Sequence, residues 1–134
     1  MSNSSGHNKD NILEFLVQAA NKHDFNLDIT LNVKGAVITG TLVSAKEYFS
    51  TLSSTLEGGN DIAQMLSEEL DQAEEIAQKN DDTEANFLHM KDAKVYCGDS
   101  KPTPSKGQIL WRGKLSEIDG FFLGRILDGS DQET

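Results

Sequence analysis

The sequence is poor in cysteine, proline and basic side chains, and it contains no long apolar segment. With Cys97 as its one cysteine, no disulfide can form within the chain, which favours a reducing compartment. No run of about 18 apolar residues occurs, so we expect no membrane-spanning helix. The polar start of the chain also lacks the apolar segment of a signal peptide. These absences predict a soluble, cytoplasmic protein.

Basic side chains are scarce: 12 basic residues stand against 22 acidic ones, a formal net charge of −10. Proteins that bind phosphate groups normally carry the opposite sign, so the charge disfavours nucleic acid and anionic membranes as partners. Apolar residues make up 37% of the chain, so we expect a modest core. The length fits one compact domain, predicted over residues 10–127, between flexible tails at 1–9 and 128–134.

The residue patterns of catalytic and cofactor sites are missing as well. The three histidines, His7, His23 and His89, have no partners at metal-ligand spacing. Cys97 has no Cys–His signature around it, and we expect a half-buried thiol on a strand. The glycines form neither a dinucleotide-binding nor a phosphate-binding loop pattern. We therefore predict a protein that acts by binding and is not an enzyme, with no metal and no cofactor.

Hydrophobic periodicity predicts both helices and strands in the first third of the chain. Apolar residues at helical spacing predict a helix over 10–20, and strict alternation predicts a strand over 25–33. Lys34-Gly35 predicts a tight turn into a second strand over 36–43. Gly40 within that strand indicates a bulge or a bend, which would curl the sheet.

The middle of the chain predicts a pair of helices. Ser44 and Glu47 have capping-box spacing, which favours a helix over 45–56. A curved strand remains the alternative there, because Tyr48-Phe49 are also strand formers. A second, acidic helix with a narrow apolar stripe is predicted over 61–79.

The last third predicts strands over 87–97, 109–118 and 121–127, with a proline-containing loop over 98–107. Asp119-Gly120 is a typical hairpin turn, so we expect the last two strands to pair. The whole order predicts an α+β fold: a small curled antiparallel sheet, or an Sm-like or SH3-like partly open barrel, of about five strands. An N-terminal helix and an inserted helical pair would accompany the sheet.

Charge is distributed unevenly along the chain. Residues 57–84 carry ten acids and one lysine, a net −9, whereas residues 91–114 carry six bases and two acids, a net +4. Either both regions are simply solubilising, or patches of opposite sign on different copies attract and give weak, salt-sensitive, head-to-tail association. The candidate self-association or partner surface comprises Glu68, Glu69, Asp71, Glu74, Glu75, Lys94, Lys101, Lys106, Trp111, Arg112, Lys114, Phe121 and Phe122.

Two adjacent aromatic residues in the last strand place a constraint on this surface. Phe121 and Phe122 would face opposite sides of a strand, so only one of them can enter the core of a one-sided sheet. The other needs a cover, which the N-terminal helix, a partner or a second copy would supply. We expect the N-terminal helix to cover it.

Four stretches carry a family resemblance: LDITLNVKGAVITGT from Leu27, SAKEYF from Ser44, KVYCGDSKPTPSKG from Lys94 and WRGKLSEIDGFFLG from Trp111. Together they resemble gas vesicle accessory proteins of the GvpU family. The resemblance implies a cytoplasmic accessory factor of gas vesicles, the gas-filled protein shells that give buoyancy. It implies no enzyme activity and no cofactor, with gas vesicle shell proteins as partners, in vesicle assembly or clustering. Further copies of the chain are expected as partners from the charge distribution described above.

Two other functions stay open at this point. An Sm-like nucleic-acid-binding module would use the positive region over 91–114 together with Trp111, although the net charge of −10 disfavours it. A chaperone-like holder of unassembled shell protein would use the apolar stripe over 61–79.

Overall fold

The computed structural model describes residues 9–56, 59–79, 85–98 and 101–127, without the side chains of residues 74 and 77–79. Except for Lys9, the two predicted tails lie outside the described residues. The elements in chain order are α1 (Asn11–His23), β1 (Leu27–Val33), β2 (Ala36–Val43), α2 (Ala45–Leu56), α3 (Asp61–Lys79), β3 (Phe87–Tyr96), β4 (Ile109–Lys114), a 3₁₀ turn (Leu115–Glu117) and β5 (Gly120–Leu123).

The five strands form one antiparallel sheet in the order β4-β3-β2-β1-β5. The sheet is not closed, and β4 and β5 form its two edges. The structure thus confirms the α+β class and is consistent with the small curled sheet, one of the two predicted forms. The N-terminal helix and the inserted helical pair are present as predicted.

The β1–β2 hairpin follows directly from the alternation of apolar and polar residues. Its turn residues Lys34 and Gly35 have φ values of 53° and 90°, the left-handed pair that a two-residue hairpin turn requires. The register then places Leu31 opposite Ile38, so that the apolar side chains of both strands share one face.

Gly40 marks a bulge, as predicted. The register between β2 and β3 shifts at this residue, and Asp92 on β3 adopts a left-handed φ of 54° nearby. A methyl group at Gly40 would lie 2.9 Å from both the Ala93 Cα atom and the Lys91 carbonyl oxygen. Because these are backbone atoms of the neighbouring strand, only glycine lets β3 approach so closely.

One face of the sheet, called here the core face, holds the hydrophobic core. The face is covered by α1, whose N-terminus is capped by the Asp10 carboxylate accepting from the Ile12 amide at 2.8 Å. The buried cluster between helix and sheet includes Leu13, Val17, Ala20, Ile29, Leu31, Ile38, Leu42, Leu88, Met90 and Leu115. Since successive strand residues alternate, the polar partners of these positions lie on the opposite, outer face.

The inserted helical pair packs on the outer face. Ser44 caps α2 by accepting a hydrogen bond from the Glu47 amide at 3.0 Å, so the helix prediction for this segment is confirmed and the strand alternative is wrong. Tyr48 and Phe49 of α2 contact the His89 ring on β3, at 4.8 Å and 5.6 Å between centroids. Helix α3 packs on α2, so α2 lies between α3 and the sheet.

The expected hairpin between the last two strands is wrong. Instead, β4 pairs with β3 and β5 pairs with β1, at opposite edges of the sheet. The chain turns away after Lys114 through the 3₁₀ turn, and Asp119 then binds the β1–β2 turn by accepting from the Lys34 amide at 2.8 Å. Local turn chemistry suggested a hairpin, but pairing with β1 places Phe121 against the core.

Residues 124–127 cross the outer face of the sheet, although they were predicted to be strand. The Thr30 hydroxyl donates to the Gly124 carbonyl at 2.8 Å, and the Ile126 amide donates to the Thr39 hydroxyl at 2.8 Å. Arg125 donates to the Thr41 hydroxyl as well. This segment therefore supplies hydrogen-bond partners to the buried hydroxyl groups of Thr30 and Thr39 in the middle of the sheet.

Candidate interaction surfaces

Helices α2 and α3 are joined through a small, polar contact. The buried Ser53 and Ser67 hydroxyl groups lie 2.7 Å apart, and Ser53 also donates to the Asp71 carboxylate at 2.7 Å. This arrangement, called here the serine contact, fixes the rotation of α3 about its axis, because only one orientation brings these hydroxyl groups together.

With that rotation fixed, α3 exposes most of its large apolar side chains, whereas Leu70 is half-buried. Four of them are 50–64% exposed and form the apolar stripe: Ile62, Met65, Leu66 and Ile76. At about 100° per residue, these positions lie on the side of the helix away from Ser67 and Asp71. The apolar stripe therefore faces solvent instead of a core.

Acidic side chains border the apolar stripe. Asp61, Glu68 and Glu75 are exposed and follow one flank of it, and the exposed Glu69 lies within it. The predicted site residue Asp71 belongs to the serine contact, and the side chain of Glu74 lies outside the described residues. The helix thus combines an exposed apolar surface with a strongly negative border.

The predicted basic residues divide between surface and interior. Arg112 and Lys114 are exposed on the edge strand β4, and Lys106 is exposed in the loop before it; these three residues are called here the basic edge. Lys101 is exposed in the loop before β4. Lys94 is only 3% exposed, on the outer face opposite Thr39, which leaves its side chain inaccessible to a partner.

Arg112 also has a structural role that its sequence position does not reveal. Its Nε donates to the Nε2 atom of His89 at 3.1 Å, and its guanidinium lies 3.9 Å from the Phe87 ring centroid and 5.6 Å from that of Phe49. His89 is 4% exposed, and burial, with the nearby Arg112 charge, lowers its pKa to about 3. His89 is therefore neutral and belongs to the link between α2 and the sheet.

The predicted aromatic residues do not form one docking surface. Trp111 is partly buried against the core, and its ring covers the Cα of Gly113, where an added methyl group would lie 2.3 Å from a ring carbon. Phe121 packs against the core as well, whereas Phe122 is exposed at the opposite edge of the sheet. The two phenylalanines do face opposite sides, but the expected cover of the second one by α1 is wrong, because α1 lies on the Phe121 side.

Ion pairs between described residues leave α3 and the basic edge unconnected. Lys91 pairs with Glu47 at 3.0 Å, and Lys34 pairs with Glu117 at 3.4 Å and with Asp119 at 3.5 Å. None of the ion pairs among the described residues joins a carboxylate of α3 to the basic edge. The two charged surfaces are thus not neutralised by one another through such pairs.

The Lys34 ion pairs bind the β1–β2 turn to the segment before β5. The hydrogen bond to Glu117, followed by the Asp119 charge, raises the pKa of Lys34. The Asp119 carboxylate accepts from the Lys34 backbone amide, which lowers its pKa. The effect is local and holds the segment before β5 against the β1–β2 turn.

Three further features concern metal binding, membrane insertion and the single cysteine of the described residues. In the part of the chain that the structure describes, no group of three or more His, Cys, Asp or Glu side chains is arranged to hold a metal ion. Among the described helices, none has the length and hydropathy needed to span a bilayer. Cys97 is exposed just after β3, so the expectation of a half-buried strand thiol is wrong.

Fold and surfaces together define a small α+β protein whose open sheet carries an acidic, outward-facing helical hairpin. A family model described as "Gas vesicle protein GvpU-like" matches residues 10–126, so the chain belongs to the GvpU-like family of gas vesicle proteins. No curated protein matches the chain, and no solved structure does either.

Proposed function

We propose that this GvpU-like protein is a gas vesicle accessory factor that associates with itself and with vesicles, and so promotes their clustering or assembly. It acts by binding and not by catalysis. The observation that carries this proposal is that no ion pair among the described residues joins a carboxylate of α3 to the basic edge. Each copy then offers both signs of charge to its neighbours.

The expected contact is head to tail. A contact between unlike surfaces leaves one of each free on every pair, so association continues beyond the dimer. Each exposed ion pair contributes only about 0–1 kcal/mol, so the assembly should depend on concentration and be reversible. It should also weaken as added salt shortens the Debye length to about 3 Å near 1 M.

A charge-swap experiment tests this contact. The acid-side variant Glu68→Lys/Glu69→Lys and the base-side variant Lys106→Glu/Lys114→Glu should each fail to associate in sedimentation or light scattering. Mixed together, they should form pairs again, because the unchanged basic edge of the acid-side variant faces the unchanged α3 of the base-side variant. Mixtures that stay monomeric would exclude this contact, as would wild-type protein that is monomeric at low salt.

Net charge by itself needs a matched control. Glu68→Gln/Glu69→Gln and Asn11→Lys/Asn26→Lys change the net charge equally, and the exposed Asn11 and Asn26 lie outside both charged surfaces. Only the first variant should weaken self-association. Equal effects of the two variants would show that bulk charge, and not the α3 surface, governs self-association.

Attachment to vesicles requires its own measurement. Wild-type protein should float with purified gas vesicles and gather them into clusters visible by microscopy. The acid-side variant should leave the vesicles dispersed, because copies on different vesicles no longer bind each other. Protein that stays behind when vesicles float would contradict attachment, whatever its self-association.

The exposed apolar stripe favours a second candidate function, that of a chaperone-like holder of unassembled shell protein. Ile62 and Met65 are 64% and 63% exposed, and an exposed apolar surface bordered by polar residues is typical of a protein interaction site. A pull-down of monomeric shell protein, but not of finished vesicles, would favour this function over clustering.

A further inference from the structure

The apolar stripe of α3 faces away from the helix on which α3 packs. Ordinary helices bury their large apolar side chains, but α3 buries Ser67 against Ser53 and exposes Ile62 and Met65. Because the serine contact fixes this rotation, the stripe does not face solvent through a loose orientation of the helix. A surface of this kind needs a partner, and its chemistry identifies which one.

The segments outside the described residues do not fit the stripe by composition. The residues outside the description, at 1–8, 57–58, 80–84, 99–100 and 128–134, contain no apolar side chain except Met1. Those segments also contain no lysine or arginine, and most of them carry acids. They lack both the apolar surface and the positive charge that the stripe and its border require.

A second α3 does not fit the stripe either. Helix α3 carries six acids and one lysine, so two of these helices side by side would place like charges together. The basic edge of a second copy supplies positive charge, but among its neighbours only Ile109 is an exposed large aliphatic residue. An anionic membrane surface is excluded by the same negative border.

We propose that the apolar stripe is the docking site for an amphipathic helix of a partner protein, one that carries Lys or Arg beside its own apolar face. Apolar positions at i, i+3 and i+4 are the spacing by which one helix receives another. Asp61, Glu68 and Glu75 on the flank then pair with the basic residues of the incoming helix. The proposal gives the second candidate function a partner chemistry, and it stands whether or not copies of the chain self-associate.

The probe is a synthetic amphipathic peptide of Leu and Lys, about 18 residues or five turns long. A shuffled peptide of the same composition, which has the same charge but no apolar face, is its control. Binding is measured by calorimetry on the full chain at about 0.15 M salt. The amphipathic peptide should bind at least about tenfold more tightly than the shuffled one. Equal binding of the two peptides would reduce the interaction to charge and overturn the proposal.

A matched pair of variants locates the site. Ile62→Gln/Met65→Gln removes two stripe residues that are 64% and 63% exposed, and Ile12→Gln/Phe15→Gln removes two α1 residues that are 64% and 67% exposed with the same spacing. Only the first variant should lose peptide binding, by about tenfold or more. Equal binding by both variants would overturn the site. Circular dichroism confirms that both variants keep their helices.

Self-association of the same variants separates this proposal from the function proposed above. The substitutions in both variants leave the net charge unchanged, so the charge-dependent assembly should persist and still disappear at high salt. Loss of assembly in Ile62→Gln/Met65→Gln alone would make the stripe a contact between copies and would overturn docking of a partner helix. Failure of the charge-swap experiment with intact peptide binding would instead remove self-association and leave the docking site in place.

Discussion

The sheet with α1 and the α2–α3 hairpin use amphipathic helices in opposite ways. Helix α1 buries Leu13 and Val17 against the core face and thereby completes the hydrophobic core. Helix α3 buries Ser67 in the serine contact and leaves Ile62 exposed. One region satisfies its apolar surface within the molecule, whereas the other keeps it available. Amphipathicity in a sequence therefore identifies a helix but not whether its apolar face is already occupied.

The link between the two regions is also unusual. Tyr48 and Phe49 of α2 surround His89, and Arg112 donates to that histidine from the neighbouring strand. This aromatic and cationic cluster attaches the hairpin to the outer face of the sheet, where a second apolar core would otherwise form. The hairpin is thus attached through polar and aromatic contacts that include the neutral His89 side chain and the Lys91–Glu47 ion pair.

The largest contrast between the regions should appear in stability. Leu88→Ala empties a fully buried position of the core and should lower the free energy of unfolding by about 3 kcal/mol. Ile62→Ala removes exposed surface only and should change it by less than about 0.5 kcal/mol. Urea unfolding of both variants measures the difference. Similar losses would mean that the stripe is covered in solution.

The contact between α2 and the sheet should make the stability of the fold sensitive to acid through His89. The pKa of His89 lies near 3 in the folded chain, below its unfolded value of 6.5. The unfolded state thus binds a proton first as the pH falls, and stability is lost below about pH 6.5. The loss from this residue should reach about 2 kcal/mol between pH 7 and pH 5.

His89→Gln supplies the control for this pH effect, because glutamine keeps a hydrogen-bond acceptor for Arg112 but does not titrate. Stability of the variant, measured by urea unfolding across the same pH range, should lack this component. His23 is exposed and remains in both proteins. An identical pH dependence in the two proteins would show that His89 is not held neutral in the fold.

The smallest difference between a variant and its matched control is expected within the hairpin. Ser53→Ala removes the hydroxyl shared by Ser67 and Asp71 and should cost about 1 kcal/mol of stability, because the contact is buried and one partner is charged. The matched change Ser54→Ala removes an exposed hydroxyl on the same helix, which donates to the Ser50 carbonyl. It should leave the stability almost unchanged. Hydrogen exchange of the α3 amides distinguishes local loosening of the hairpin from global destabilisation.

The elements that local chemistry determines were predictable from the sequence. Alternation predicted β1 and β2, and Gly40 marked the bulge. The capping box at Ser44 favoured α2, with a strand left as the alternative. The pairing of the last strands was not predictable in this way. Asp119-Gly120 has the chemistry of a hairpin turn, but β5 pairs with β1 instead, because that position buries Phe121.

Candidate site residues divide in the same manner. Their charges were evident, but Lys94 and Trp111 turned out to be buried or partly buried. The burial of His89 was not predicted. Its neighbours Leu88 and Met90 belong to the core, so strand alternation could have placed His89 on the outer face. Nothing in the local sequence shows that α2 would cover it there.

The sequence by itself determined most of the helices and the first three strands, the sign and position of the charge and the family to which the chain belongs. These follow from residue order and from interactions between near neighbours. Only the tertiary structure decided which strands form the edges, which lysine is buried and which side of α3 faces outward. Those outcomes depend on contacts between distant residues, above all the serine contact and the position of Phe121, and periodicity along the chain does not specify them.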